Sequence, residues 1–172
     1  MRRNDMRHVV SILIENEAGA LSRVVGLFSQ RGYNIESLTV APTDDPTLSR
    51  CTILTLGDEE VIEQITKQLH KLVCVLRVSA INDEPEGGME RELVLIKVPT
   101  PNRNVREDVK SLADIYGAKI IDVSAEILTL QYVGSSQEVD NFCSTVVKLA
   151  DVLEVVRSGV LGVAKGNHYL HN

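Results

Sequence analysis

Residues 16–23 read Asn-Glu-Ala-Gly-Ala-Leu-Ser-Arg and stand between an alternating apolar run and a run with helical spacing. Backbone freedom at Gly19 therefore coincides with a helix start, where the first N–H groups lack intrahelical partners and the macrodipole leaves partial positive charge. A free carboxylate suits that place. Asn34, in Gly32-Tyr33-Asn34-Ile35 after the first helical run, adds a second amide, and Asn16 and Asn34 each carry donors and acceptors. Together they match a zwitterionic amino acid, with its carboxylate on backbone N–H groups at Gly19, Ala20 and Leu21 and its ammonium on amide or backbone oxygens. Aliphatic neighbours such as Ile35 favour an aliphatic ligand side chain, each methylene being worth about 1 to 3 kcal/mol. The same residues also fit a plain strand-to-helix turn.

Other chemistry has little to stand on. His8, His70, His168 and His171 lack metal-ligand spacing, and Gly159, Gly162 and Gly166 do not form a dinucleotide fingerprint. Cys51, Cys74 and Cys143 are far apart, which fits reduced core thiols in a cytoplasmic protein better than a disulfide framework or a metal site. The net charge of -6 gives no general attraction to nucleic acid, and Arg2, Arg3 and Arg7 read as a solvated terminus. Aromatic residues make up only 3% of the 172, so base-stacking platforms are scarce and the core must be aliphatic. No apolar run reaches the roughly 18 residues of a membrane span, and residues 1–7 are too polar for a signal peptide.

The elements that must position the loop follow from periodicity. Val10, Ile12 and Ile14 alternate with Val9, Ser11 and Leu13, which predicts a strand over 8–15. Leu21, Val24, Val25 and Phe28 then mark a helix that Gly32 can end in a left-handed cap. Residues 34–41 and 48–56 flank a Pro/Asp turn and read as a hairpin; Asp58, Glu59 and Glu60 start a helix carrying Ile62, Ile65 and Leu69; residues 73–81 close the unit. This β-α-β-β-α-β order predicts an α+β, ferredoxin-like domain over 8–82, with both helices on one face of an antiparallel sheet and the other face uncovered. Residues 83–91 read as a linker.

A second ferredoxin-like βαββαβ domain is expected over 92–165, with a tail at 166–172. Its strands fall at 93–98, 120–123, 127–133 and 152–163, the last of them interrupted at Gly159, and its helices carry Val109 and Leu112, then Val139, Phe142 and Val146. Ser135 and Glu138 have capping-box spacing, and Asn104 with Glu107 suits a cap on the preceding helix. The loop of the second copy, residues 99–104, has two prolines and no glycine.

Read continuously over residues 16–50, the segments NEAGALSR, GLFSQRGYNIESLTV and PTDDPTLSR resemble the small regulatory subunit of acetohydroxyacid synthase, also called acetolactate synthase. The resemblance continues at 68–73 and 75–78, weakens beyond the linker, and recovers at 120–123 and 157–159. It implies an N-terminal ACT domain that pairs with its copy and binds valine or a related branched-chain amino acid at the dimer interface. Carried over by position, the effector site falls on Asn16, Gly19, Ala20, Leu21 and Asn34, with Ile35 close by, while Ser22 and Ala41 stand where feedback sensitivity is set. It implies a catalytic large subunit as partner, with thiamine diphosphate, magnesium and FAD on that subunit and no cofactor on this chain. The alternative with the same fold is a free-standing ACT sensor acting on another enzyme or a transcription factor. An autonomous enzyme lacks converging groups, and an RNA-binding sheet would need aromatics where this chain has Val, Ile, Leu and Thr.

Overall fold

A computed structural model describes residues 6–83 and 86–170. Arg2, Arg3 and His171, and Glu84 and Pro85 of the expected linker, lie outside the described residues. The chain divides into two compact units, residues 1–89 with 160–172, and residues 90–159.

In the first unit, alternation lets β1 (Met6–Glu15) turn Val10, Ile12 and Ile14 toward the helices while Val9, Ser11 and Leu13 face the other way. α1 (Ala20–Gln30) buries Ala20, Val24 and Phe28, and α2 (Glu59–Leu69) buries Ile62, Ile65 and Leu69. These meet Cys51 and Ile53 of β3 (Leu48–Gly57) in one core, where each fully buried aliphatic or Phe side chain contributes about 1.5 to 3 kcal/mol. β2 (Ser37–Pro42) and β4 (Val75–Ala80) complete an antiparallel sheet ordered β2-β3-β1-β4, the expected ferredoxin-like arrangement. β2 is an edge strand, which is where the proline at its end is tolerated. The end of α1 is as predicted: Gly32 has φ +70°, and the Tyr33 N–H donates to the Phe28 carbonyl at 3.0 Å.

The second unit repeats the plan. β5 (Gly88–Pro99), β6 (Lys119–Val123), β7 (Ile127–Gly134) and β8 (Glu154–Arg157) form the order β6-β7-β5-β8, the same permutation as the first sheet. α3 (Arg103–Tyr116) and α4 (Ser136–Leu149) cover one face with Val109, Leu112, Phe142 and Val146. The capping box at Ser135 and Glu138 forms as expected. The α3 cap does not: Asn102, in place of Asn104, accepts from the Val105 N–H at 3.0 Å, and Glu107 pairs with Lys110. Asn102 alone of the two has the extended backbone that aims an Asx side chain into the first turn.

The C-terminal boundary also differs from the expected 92–165. The strand expected over 152–163 is two strands, β8 and β9 (Leu161–Ala164), separated at Gly159, whose φ is +81°. Residues from 160 onward belong to the first unit. There Val160 is buried with Val9 and Ile81, its N–H donates to the Ser37 hydroxyl at 3.3 Å, and the Lys165 N–H donates to the Gly87 carbonyl at 3.0 Å. The Arg50 guanidinium donates to the Ser11 hydroxyl at 2.8 Å and to the Gly162 carbonyl at 3.1 Å. The face of the first sheet expected to be bare is thus partly covered by the chain's own end. β5 begins at Gly88, inside the expected linker.

Candidate functional site at the start of the first helix

The loop at 16–19 is built by its neighbours. Asp45 accepts from the Thr47 hydroxyl at 2.7 Å and the Thr47 N–H at 2.8 Å, and these bonds, the side-chain one first, hold its carboxyl below the usual carboxylate range. The turn so fixed presents two carbonyls. Thr47 O accepts from the Asn16 N–H at 2.7 Å, and Pro46 O accepts from Asn16 Nδ2 at 2.9 Å. Asn16 is exposed, with its side-chain oxygen turned to no described partner. Arg23 bonds Glu17 at 3.0 Å, and hydrogen bonds, first to the Cys74 side chain and then to Glu17, raise its pKa further.

Gly19 is the N-cap of α1, with φ +89° and ψ -12°, the left-handed region that side chains with a Cβ enter at a cost of roughly 1 to 2 kcal/mol. No atom lies within 4 Å of where its Cβ would stand, so the space above it is open. α1 has no side-chain cap and no acidic residue in its first turn, whereas α2, α3 and α4 are capped by Asp58, Asn102 and Ser135. Ala20 N–H donates weakly to Glu17 O at 3.3 Å and Arg23 N–H to Gly19 O at 3.0 Å, and the Leu21 and Ser22 N–H groups have no partner among the described residues. Of the four α-helix starts among the described residues, that of α1 is left open to an acceptor. In the second unit the matching loop is filled from within: Arg106 donates to Thr100 Oγ1 and to the carbonyls of Ser124 and Ala125.

The structure brings Asn16, Gly19, Ala20, Leu21 and Ser22 together and keeps Asn34 and Ile35 away from them. The Asn34 carbonyl accepts from Thr55 Oγ1 at 2.7 Å, at the far end of β3 from Thr47. Those eight residue steps span about 27 Å at 3.4 Å per residue. Within one chain Asn34 therefore cannot complete the pocket, contrary to the simple sequence picture of two amides side by side. Its Nδ2 donates to Glu36, a residue the sequence reading passed over because a lone exposed carboxylate gives no spacing signal. Leu21 and Ile35 each pack partly against the first core. Ala41, exposed near the end of β2, pairs in register with Arg50, whose half-buried guanidinium has its pKa lowered by burial. Ser22 is exposed and lines a cleft of about 390 Å³ between α1 and α2.

Residues 10–77 match the family described as AHAS small subunit-like ACT domain, and residues 91–166 match the family described as small subunit of acetolactate synthase. The acetolactate synthase isozyme 3 small subunit of Salmonella typhimurium is 55% identical over 162 residues, covering 94% of this chain and 98% of that protein. This chain belongs to the acetolactate synthase small subunit family. The isozyme 3 small subunit of Escherichia coli is 54% identical with the same coverage. The crystal structure of the small subunit from Thermotoga maritima superposes with a TM-score of 0.85 at 37% identity, covering 95% of this chain and 99% of that one. Residues 10–77 are thus an ACT domain, and the family places the chain in branched-chain amino-acid biosynthesis. Among the described residues no helix is long and apolar enough to cross a membrane.

Proposed function

We propose that this chain is the non-catalytic regulatory subunit of acetolactate synthase, that it binds and activates a catalytic large subunit, and that valine bound between two ACT domains withdraws the activation. The observation that carries the effector site is the uncapped start of α1 set against Asn34, which stands at the opposite end of β3. A second copy resolves the separation. If edge strand β2 pairs antiparallel with β2 of a partner across a twofold axis, the start of one β2 lies beside the end of the other. Asn34 and Ile35 of one chain then come to the end of the sheet where Asn16, Gly19 and Leu21 of the other stand, giving two equal sites per dimer.

In each site the open N–H groups of Leu21 and Ser22 take the valine carboxylate, supported by the helix dipole. The Asn34 side-chain oxygen, left available by the Nδ2 bond to Glu36, faces the ammonium from the other chain. Leu21 and Ile35 supply aliphatic walls. Ser22 and Ala41 border the site from the helix and from the end of β2, which fits their part in feedback sensitivity. The reading assigns thiamine diphosphate, magnesium and FAD to the catalytic chain. Loss of activation requires valine to bind one arrangement of the complex more tightly than the other; a coupling of about 1 to 3 kcal/mol gives roughly 5-fold to 150-fold regulation, and the catalytic chain must weaken valine binding by the same factor.

Mixing two disabled variants tests the shared site. Asn16→Ala and Asn34→Ala should each bind valine poorly by calorimetry, but equilibrated together they form heterodimers in which one site has both native residues, restoring roughly one site in four. A mixture that binds no better than its components would sink the composite site. Reconstitution with a catalytic acetolactate synthase chain tests the rest: unchanged activity with and without valine would instead favour a free-standing sensor.

A further inference from the structure

We infer that the helix-free face of the first sheet carries the surface by which this chain grips its catalytic partner, a row of Ala41, Arg50, Leu13 and Arg77, and that the row takes an acidic segment of that partner. The inference rests on the regulatory-subunit reading and gives its activating contact a place. Straight across the sheet, Ala41 of β2 pairs with Arg50 of β3, Arg50 with Leu13 of β1, and Leu13 with Arg77 of β4. Alternation fixes the side: Cys51 and Ile53 enter the core under the helices, so Arg50, next to Cys51, turns the other way and bonds Ser11. With strands about 4.8 Å apart, the Cα atoms of the two arginines stand about 10 Å from each other.

Neither guanidinium has a counter-ion among the described residues. Arg50 Nε donates to the Ser11 hydroxyl and Nη2 to the Gly162 carbonyl, both neutral, while Nη1 has no partner among the described residues and stays open to solvent. Burial lowers the Arg50 pKa, as expected of a cation short of negative charge. Tethering the chain's end uses two of its five N–H donors and leaves the rest unexplained. Arg77 is exposed on edge strand β4 and makes no hydrogen bond or ion pair among the described residues. Arg157 of the second unit is the contrast: also part-buried, it donates two bonds to Glu92 and one to Asp140. There the chain supplies its own carboxylates.

The surroundings select the partner's charge. The next row on this face, Thr39, Thr52, Ser11 and Ser79, carries hydroxyls and no acid. Glu15, one pleat further along β1, is exposed and forms no ion pair among the described residues. In a chain of net charge -6, two unpaired guanidiniums in one row are a local reversal of sign, and a guanidinium matches a carboxylate with two parallel bonds. Position links the row to the effector loop. Arg50 lies three residues after Thr47, whose carbonyl holds the Asn16 N–H, and Ala41 ends the row. The loop proposed for valine and the gripping row thus share one turn and one strand end.

The test reconstitutes the full chain with a catalytic acetolactate synthase chain and titrates acetolactate formation. R77E removes a side chain that bonds nothing among the described residues. The concentration it needs for half-maximal activation should rise at least about tenfold, with the melting temperature and valine affinity of the chain alone unchanged. R50Q should shift activation the same way with a lower melting temperature, because the Ser11 and Gly162 bonds go as well. In R77K, carbodiimide coupling should join the introduced amine to an Asp or Glu of the catalytic chain. Activation by R77E at the parent's concentration, or coupling of R77K only within this chain, overturns the inference while the parent's own activation keeps the regulatory reading. No activation by the parent chain removes both.

Discussion

Replacing Gly19 by Asp is the most direct perturbation of the valine site. The backbone at φ +89° charges any side chain a strain cost, which is lower for Asp than for most residues, so the fold should lose about 1 kcal/mol and the melting temperature several degrees. No atom within 4 Å meets the new Cβ inside the chain, so the substitution adds strain without a clash. Binding should suffer much more. Two open N–H groups on a carboxylate contribute about 1.5 to 3 kcal/mol each, and the new carboxylate competes for both while repelling the ligand's own. Losing both bonds weakens valine by roughly two to four orders of magnitude. Calorimetric titration gives the affinity and thermal unfolding gives the stability. Gly19→Ala is the control, since it carries the strain without the charge and should bind valine better than Gly19→Asp. Valine affinity for Gly19→Asp within about threefold of the parent would refute the assignment of the carboxylate to α1.

Four further outcomes can be checked independently. Ser135→Ala should cost the second unit about 1 kcal/mol in denaturant unfolding by removing the α4 cap. Glu138 has its pKa lowered, first by the Ser135 backbone bond, so its contribution is present above the ordinary carboxylate value and lost as pH falls through the depressed one; acid titration of unfolding should show that loss, and Glu138→Gln should abolish it. A side chain at position 162 would place its Cβ 2.5 Å from Ile81 Cδ1 and 3.2 Å from Val9 Cγ1, so Gly162→Val should destabilise the first unit by about 1 to 3 kcal/mol and raise hydrogen exchange at residues 160–164. Burial pushes the Cys51 thiol up to about 12, so alkylation at pH 8 should modify Cys51 only after unfolding; labelling of the native chain there would contradict its place in the core.

Local pattern carried most of the fold into view. The period switch from Ile14 to Leu21, the glycine stop at Gly32, the Asp58 cap and the Ser135–Glu138 box are all short-range, and each formed where its residues stand. What escaped is nonlocal. Alternation at 161–164 says that a strand forms but not which partners it joins, so the return of Val160 to the Val9 face had no signature beyond Gly159 and Gly162. For the site, the open turn around Gly19 was legible because backbone freedom and a helix start coincide. The remoteness of Asn34 was not, since sequence proximity of 18 residues hides that a helix carries the chain to the opposite end of the sheet. The Glu36 bond to Asn34 and the turn held by Asp45 and Thr47 are equally products of register.

The docking of residues 160–164 on β1 bears on how the polypeptide is made. Val9 leaves the ribosome some 150 residues ahead of its cover at Val160, and the whole second unit is synthesised in between. The first unit therefore waits through synthesis of the second with Val9, Ile81 and Leu54 unshielded, a surface for chaperones or for premature pairing between nascent chains. A gene cut at the natural-looking boundary near residue 90 would make that interim condition permanent. A soluble ACT fragment is better built by joining residue 89 to residue 160 through a short Gly/Ser bridge, which keeps the late cover and omits what lies between.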